Sequence, residues 1–403
     1  MRATSWCRRR ILFLLGCAAG GLAASARAES ALRDVIRDDF EFATDQYSRL
    51  LDRVKGDPNL PRTFFQNRVV TVPPRDWTSG FFPGALWLLY DYTRDPRWRS
   101  AAEDYTSRLE SIKDFTGHHD VGFMLYCSYG NGLRLTGRAD YRQVLLQGAR
   151  ALSTRFNPAV GAIRSWDDSE WRYPVIIDNM MNLELLMWAA REGGEPRFRE
   201  IALRHADKTL ANHFRPDGSS FHLVDYDPAS GQVRRRQTVQ GAADSSAWAR
   251  GQAWGLYGFV MMFRESRKPE YLDQAARIAR FLLTHPRLPD DKVPYWDFDA
   301  PGIPDAPRDV SAAAIMCSAL IELAGYADPE LARAALTAAE RQMRSLSSAP
   351  YRALLGENGG FLLQHGVGQK QINAEVDQPL VYADYYFLEA LLRFRAELAP
   401  PAR

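Results

Sequence analysis

The 403-residue chain is 46% hydrophobic and 25% charged, which excludes disorder as the default and supplies enough apolar side chains for a large core. A formal net charge of +2 and a pI near 8.3 are too mild, and too evenly spread, for a nucleic-acid-binding protein. Any preference for acidic ligands must come from local residues.

In chain order, Arg8-Arg9-Arg10 precede an apolar run from Ile11 to Ala24, and Ala26-Arg27-Ala28 offers small residues at the spacing a signal peptidase needs. Residues 1–28 are therefore expected to be a bacterial signal peptide, and the protein to be periplasmic or secreted. Two rival readings exist. Leu14-Leu15-Gly16-Cys17 matches a lipoprotein processing site that would anchor Cys17 to lipid, although cleavage there leaves a very short apolar region, and the arginine run faintly matches a twin-arginine signal. Cys7 and Cys17 fall in this segment, while Cys127 and Cys317 lie in apolar helical patterns and read as core residues, which argues against a disulfide framework. No later apolar run is long enough to span a bilayer.

Beyond the signal, helical periodicity predicts twelve helices, near 30–54, 79–93, 96–114, 120–136, 139–155, 178–191, 196–213, 246–264, 269–284, 309–324, 329–346 and 380–397. Five connections share one grammar, a turn with Pro or Asp and then a large apolar residue: Asp95-Pro96-Arg97-Trp98, Arg138-Ala139-Asp140-Tyr141, Glu195-Pro196-Arg197-Phe198, Lys268-Pro269-Glu270-Tyr271 and Asp328-Pro329-Glu330-Leu331. Each marks the second helix of a hairpin. The first helix of each later hairpin is apolar nearly all round (Met180 to Ala190, Trp254 to Phe263, Ala312 to Leu323), whereas the second is amphipathic. Buried helices wrapped by outer ones make an all-α, closed α/α toroid in one domain over 29–403, and an open solenoid would not need such apolar inner members. Long connections at 55–78, 156–177, 214–245, 286–308 and 347–379 are expected to carry function, with a short hairpin from Phe221-His222-Leu223-Val224 to the segment after Gly231.

Asp120 and Asp178 each stand at the start of an apolar helix, where the structural reading is N-capping. Their polar neighbours His119, Asn179 and Asn182 are costly at the mouths of buried helices unless they line a cavity or find partners. Paired carboxylates in one cleft are the minimum kit for acid and base cleavage of glycosides. Trp77, Trp166, Trp171, Trp248 and Trp254 could stack on sugar faces or fill the core. Arg250, among apolar residues, needs an anionic partner, either a structural carboxylate such as Asp244 or one on a substrate. Arg234-Arg235-Arg236 reads as a solvated loop run more readily than as a sulfate site. His118-His119 lacks the spacing of a metal pair, and the chain has no phosphate-binding Gly-Lys-Ser/Thr loop, no Gly-x-Ser-x-Gly elbow and no paired CxxC.

Together, Asp76-Trp77-Thr78-Ser79-Gly80-Phe81-Phe82-Pro83-Gly84, His118-His119-Asp120-Val121-Gly122-Phe123, Asp178-Asn179-Met180-Met181-Asn182 and Trp248-Ala249-Arg250-Gly251-Gln252-Ala253-Trp254 resemble glycoside hydrolase family 88, the unsaturated glucuronyl hydrolases. Glu375 to Phe387 resembles the family's C-terminal signature. The resemblance implies an (α/α)6 barrel with the cleft at one end and no metal or organic cofactor. It implies Asp178 as acid and base catalyst and Asp120 as its partner at the unsaturated sugar ring. By the same resemblance Trp77, His119, His222, Gln240, Arg250 and Trp254 contact substrate, with Trp166 as a further contact. The implied partner is an oligosaccharide left by a polysaccharide lyase and ending in an unsaturated uronate; a monomer or homodimer is expected. Some members carry Ser-x-Ser-x-Lys tied to sulfated sugars, and the matching Gly366-Val367-Gly368-Gln369-Lys370 keeps only the lysine. Three readings compete: the related unsaturated rhamnogalacturonyl hydrolase, which the His118-His119-Asp120 stretch opposes, a polysaccharide lyase, and a non-catalytic glycan-binding barrel, which would not need both acids.

Overall fold

Helix α1 (Ala19–Arg53) opens the computed structural model, which describes residues 19–398. The part of the expected signal peptide up to residue 18, including Cys17, lies outside the described residues. Hairpin β1 (Leu60–Phe65) and β2 (Arg68–Val72) follows, then helices α2 (Phe81–Thr93) and α3 (Pro96–Ser107). Next come α4 (Val121–Leu125), α5 (Asn131–Thr136) and α6 (Ala139–Ser153), and the short strands β3 (Phe156–Asn157), β4 (Ala162–Ile163) and β5 (Pro174–Ile176). Helices α7 (Asn179–Arg191) and α8 (Arg197–Asn212) precede hairpin β6 (Leu223–Tyr226) and β7 (Val233–Gln237). The chain ends with α9 (Ala249–Ser266), α10 (Pro269–Thr284), α11 (Val310–Ala324), α12 (Pro329–Leu346), hairpin β8 (Gly366–Gln369) and β9 (Ala374–Gln378), and α13 (Val381–Glu397).

Packing closes a ring. Helix α2 lies on α13, α13 on α11, α11 on α9, α9 on α7, α7 on α4, and the turn after α4 returns to α2. Every residue of α11 is buried, as is every residue of α9 from Ala249 to Met262, because these helices are enclosed on all sides. The outer partners α3, α6, α8, α10 and α12 bury one face only, and α1 covers α13. Each inner helix from α2 to α11 is followed by an outer one running back, so the six inner members are parallel. This is the (α/α)6 barrel.

The repeated turn works as its chemistry predicts. The Asp95 and Asp328 carboxylates cap α3 and α12 by accepting from backbone N–H groups, with Pro next in line. The residues that follow, Trp98, Tyr141, Phe198, Tyr271 and Leu331, are all buried.

Three expectations are corrected. The helix expected over 120–136 is interrupted by a wide π turn at Tyr126–Gly130, where the Ser128 hydroxyl donates to the Met124 carbonyl at 2.6 Å and the Asn131 amide to the Cys127 carbonyl at 2.9 Å. The helix over 96–114 ends at Ser107 and tightens into a 3₁₀ turn at Glu110–Asp114. Arg234-Arg235-Arg236 is strand β7: Arg234 pairs with the buried Asp225, and Arg235 and Arg236 donate to the carbonyls of Glu170 and Asn212. The expected hairpin after Phe221 is β6–β7, widened by β5 into a three-stranded sheet.

Candidate active site

Because the inner helices are parallel, their N-terminal ends share one mouth of the barrel, and all bring a positive dipole end to it. Trp77, Asp120, Asp178, Arg250, Asp309 and Tyr382 all sit before or within the first turn of an inner helix.

Neither Asp120 nor Asp178 makes a side-chain cap bond, although each occupies the N-cap position. Asp309, in contrast, caps α11 through Ser311 N at 3.0 Å. Capping therefore does not explain the two acids. Strand pairing aims Asp178: Ile176 of β5 faces Leu223 of β6, and Ile177 N donates to the His222 carbonyl at 3.0 Å. This puts His222 Nε2 3.8 Å from Asp178 Oδ2, too far for a hydrogen bond, and both atoms are buried without a hydrogen-bond partner among the described residues. His222 Nδ1 accepts from Val239 N at 2.9 Å, so in the neutral ring Nε2 carries the proton and is a donor.

Asp120 is held differently. His118 Nδ1 lies 3.0 Å from its Oδ2 and His119 Nε2 3.4 Å from its Oδ1. Asn182 on α7 fixes the His119 tautomer: its Oδ1 accepts from Phe123 N at 2.7 Å, so its Nδ2 donates to His119 Nδ1 at 3.1 Å and leaves Nε2–H for Asp120.

These surroundings drive the two acids apart. Burial alone would raise Asp120, but His119, His118 and the Asn182 amide outweigh it and hold the carboxyl below its ordinary value. Burial, reinforced by the charge of Asp120, pushes Asp178 up to about 7 against the opposing pull of Arg250 and the Trp254 indole. Burial also lowers His119 to about 4 and His222 to about 3, so both rings are neutral near pH 7.

The remaining candidates form the walls. Trp77 is half-buried, with its ring 5.8 Å from Phe123 and 4.9 Å from Tyr382; Phe123 in turn lies 5.1 Å from the fully buried Trp254. Trp166 is half-buried, bridged through its backbone to His118, with its ring edge-on to Trp171 at 5.9 Å. Arg250 is 1% exposed, and its structural partner is Asp309 at 3.1 Å, not Asp244, which sits exposed and accepts from Thr238 N. The first turns of α9 and α11 face each other in the ring, whereas Asp244 precedes α9 in an exposed loop. Arg250 also donates to the carbonyls of Val367 and Gly368, and Gln240 Nε2 donates to the Gly368 carbonyl at 3.3 Å. Hairpin β8–β9 is thus clamped beside the acids.

His118, Asn182, Asp309 and Tyr382 are the contributors that the sequence reading left out of its site. Asn182 was visible as a polar residue at the mouth of an apolar helix and Asp309 was not singled out; the cross-ring partners of both are set only by closure of the barrel. A hollow of about 600 Å³ on the outer wall, lined by Tyr129, Arg138, Asp140 and Gln147 among others, brings together no such groups, and Arg138 pairs with Asp140 at 2.5 Å.

The sequence profile of Glycosyl Hydrolase Family 88 matches residues 63–391. The chain belongs to this family. It is 45% identical over 353 residues to an unsaturated glucuronyl hydrolase of Formosa agariphila, covering 86% of this chain and 88% of that one. An unsaturated chondroitin disaccharide hydrolase of Streptococcus pneumoniae is 34% identical, covering 85% and 88%. A crystal structure of an unsaturated glucuronyl hydrolase specific for heparin superposes with a TM-score of 0.87 at 45% identity, covering 90% of this chain and 97% of that one. The family-88 protein described here is accordingly a glycoside hydrolase, and the paired acids at the barrel mouth are where its chemistry is sought.

Proposed function

We propose that this protein is an unsaturated glucuronyl hydrolase that removes a 4,5-unsaturated uronic acid from the non-reducing end of lyase-generated glycosaminoglycan oligosaccharides. The observation that carries this reading is the buried Asp178 carboxyl, whose Oδ2 has no hydrogen-bond partner among the described residues, raised to about 7 beside an acid held ionised. A carboxyl that keeps its proton near neutral pH is what protonation of a double bond requires.

In this reading Asp178 gives its proton to C4, and the positive charge is shared by C5 and the ring oxygen, where ionised Asp120 stabilises it. Water adds at C5 and returns a proton to the Asp178 carboxylate. The hemiketal opens to a ketone, and the hemiacetal left at C1 expels the shortened saccharide, so one water is consumed per keto acid released. The Trp254 indole keeps the acid oriented, His222 Nε2–H is left to donate to the substrate, and Trp77 offers a ring face to the sugar.

Glycosaminoglycan substrates are favoured by the activities of the heparin-specific and chondroitin-disaccharide relatives. The test is a panel of unsaturated disaccharides from heparin and chondroitin with products identified by mass: a keto acid plus a saccharide supports the reading. Turnover of only an unsaturated rhamnogalacturonyl disaccharide would replace it, and formation of new double bonds from polymer would indicate a lyase. Export through residues 1–28 belongs to the same proposal, and a mature N-terminus at Glu29 rather than a lipid-modified Cys17 is its mass-spectrometric signature.

A further inference from the structure

Tyr382, in the first turn of α13, is 0% exposed, and its hydroxyl is buried with no hydrogen-bond partner among the described residues. Buried hydroxyls are nearly always paired, and an unpaired one costs stability that packing elsewhere must offset. The ring is wedged into the site: Trp77 lies 4.9 Å away, Phe81 5.9 Å, and the Arg250 guanidinium 5.4 Å from its centroid. Around the phenol stand Arg250, Glu375, Asp309 and Arg62. Both acids are already matched, Asp309 to Arg250 at 3.1 Å and Glu375 to Arg62 at 2.5 Å. Neither makes a hydrogen bond to the hydroxyl. Two further buried polar atoms at this mouth without a partner among the described residues are Asp178 Oδ2 and His222 Nε2, which the proposed reaction uses.

We infer that the Tyr382 hydroxyl is a further substrate-contacting group, donating a hydrogen bond to an oxygen of the terminal unsaturated uronate on the Trp77–Arg250 side of the cleft. The inference rests on the unsaturated glucuronyl hydrolase reading above. Burial disfavours the phenolate, so the group is a neutral donor.

Tyr382→Phe removes one oxygen and leaves the ring packing in place. Two measurements apply: the melting temperature, and the Kd for an unsaturated heparin disaccharide read by tryptophan fluorescence, comparing Asp178→Asn with Asp178→Asn/Tyr382→Phe so that turnover plays no part. The expected result is about tenfold weaker binding, the worth of roughly one good hydrogen bond, with an unchanged or higher melting temperature because no internal partner is lost. Equal Kd values would overturn the assignment, and so would a lower melting temperature, which would reveal an internal partner. Turnover by the otherwise unaltered protein is followed in parallel: its absence alone removes the hydrolase reading while the Kd comparison still decides Tyr382. Failure of both Asp178 variants to bind removes both.

Discussion

Asp178 and Asp120 show how one residue type takes two roles. Asp178 stands buried between strand β5 and helix α7 with one oxygen unpartnered among the described residues, while Asp120 lies between two imidazoles and an amide. A raised folded-state value means that between the ordinary 3.8 and about 7 the folded protein holds a proton the unfolded chain has released. Stability therefore falls as pH rises through that window, and the whole penalty is present above it. Asp178→Asn should accordingly melt higher than the unaltered protein at pH 8, with the difference shrinking towards pH 4, as calorimetry across pH would record. The same proton sets activity: kcat should fall as pH rises through about 7 and again in acid as Asp120 protonates. Asn182 supports Asp120, directly and through His119. Asn182→Ala leaves Phe123 N and His119 Nδ1 without their partner, so a loss of roughly 1–3 kcal/mol by denaturant titration is expected, together with an acid limb of the pH–rate profile shifted to higher pH as Asp120 loses a stabilising donor.

At the level of elements, the signals that were local were legible and those that depend on closure were not. The Asp-Pro turns announced their helices because capping and the fixed proline φ act within four residues. The β1–β2 hairpin stayed hidden inside a long connection: its two-residue turn, Gln66-Asn67 with φ of 49° and 59°, lacks the glycine that usually marks such turns. The π turn at Tyr126–Gly130 is legible only in three dimensions, where Gly84 of α2 lets the Cys127 carbonyl approach; a Cβ there would stand 2.8 Å from that oxygen and 2.7 Å from the Tyr385 ring. The sequence placed Arg250 correctly on an inner helix but named Asp244 for its structural partner, since sequence proximity is a poor guide to which inner helix lies alongside. Asp309 performs three tasks at once, capping α11, pairing Arg250 and accepting from Val367 N. Asp309→Ala would leave a buried guanidinium unpaired, a loss of about 3–5 kcal/mol. Urea titration should show it, and the released β8–β9 hairpin should raise KM.

Across the whole molecule the barrel divides its labour between two ends. The N-terminal mouth leaves Asp178 Oδ2, His222 Nε2 and the Tyr382 hydroxyl without partners among the described residues, while the C-terminal end ties buried charges into ion pairs. Arg264 reaches Glu184, Glu265 and Glu322, and Arg393 reaches Glu322 at 2.8 Å, tying α7, α9, α11 and α13 together. Arg264→Met should therefore lower the melting temperature markedly, because it strands buried carboxylates, while protein that remains folded keeps its KM; a thermal melt beside steady-state kinetics checks both. The measurement that tests the central claim most directly is the ultraviolet absorbance of the conjugated C4=C5 bond when purified protein meets an unsaturated disaccharide, with Asp178→Asn run alongside. Absorbance should fall with the unaltered protein and should fall roughly 10²–10⁴ times more slowly, or not measurably, with Asp178→Asn. Equal rates for the two proteins would contradict the assignment of Asp178 as the proton donor, and no fall for either on any unsaturated uronide would contradict the hydration reaction itself.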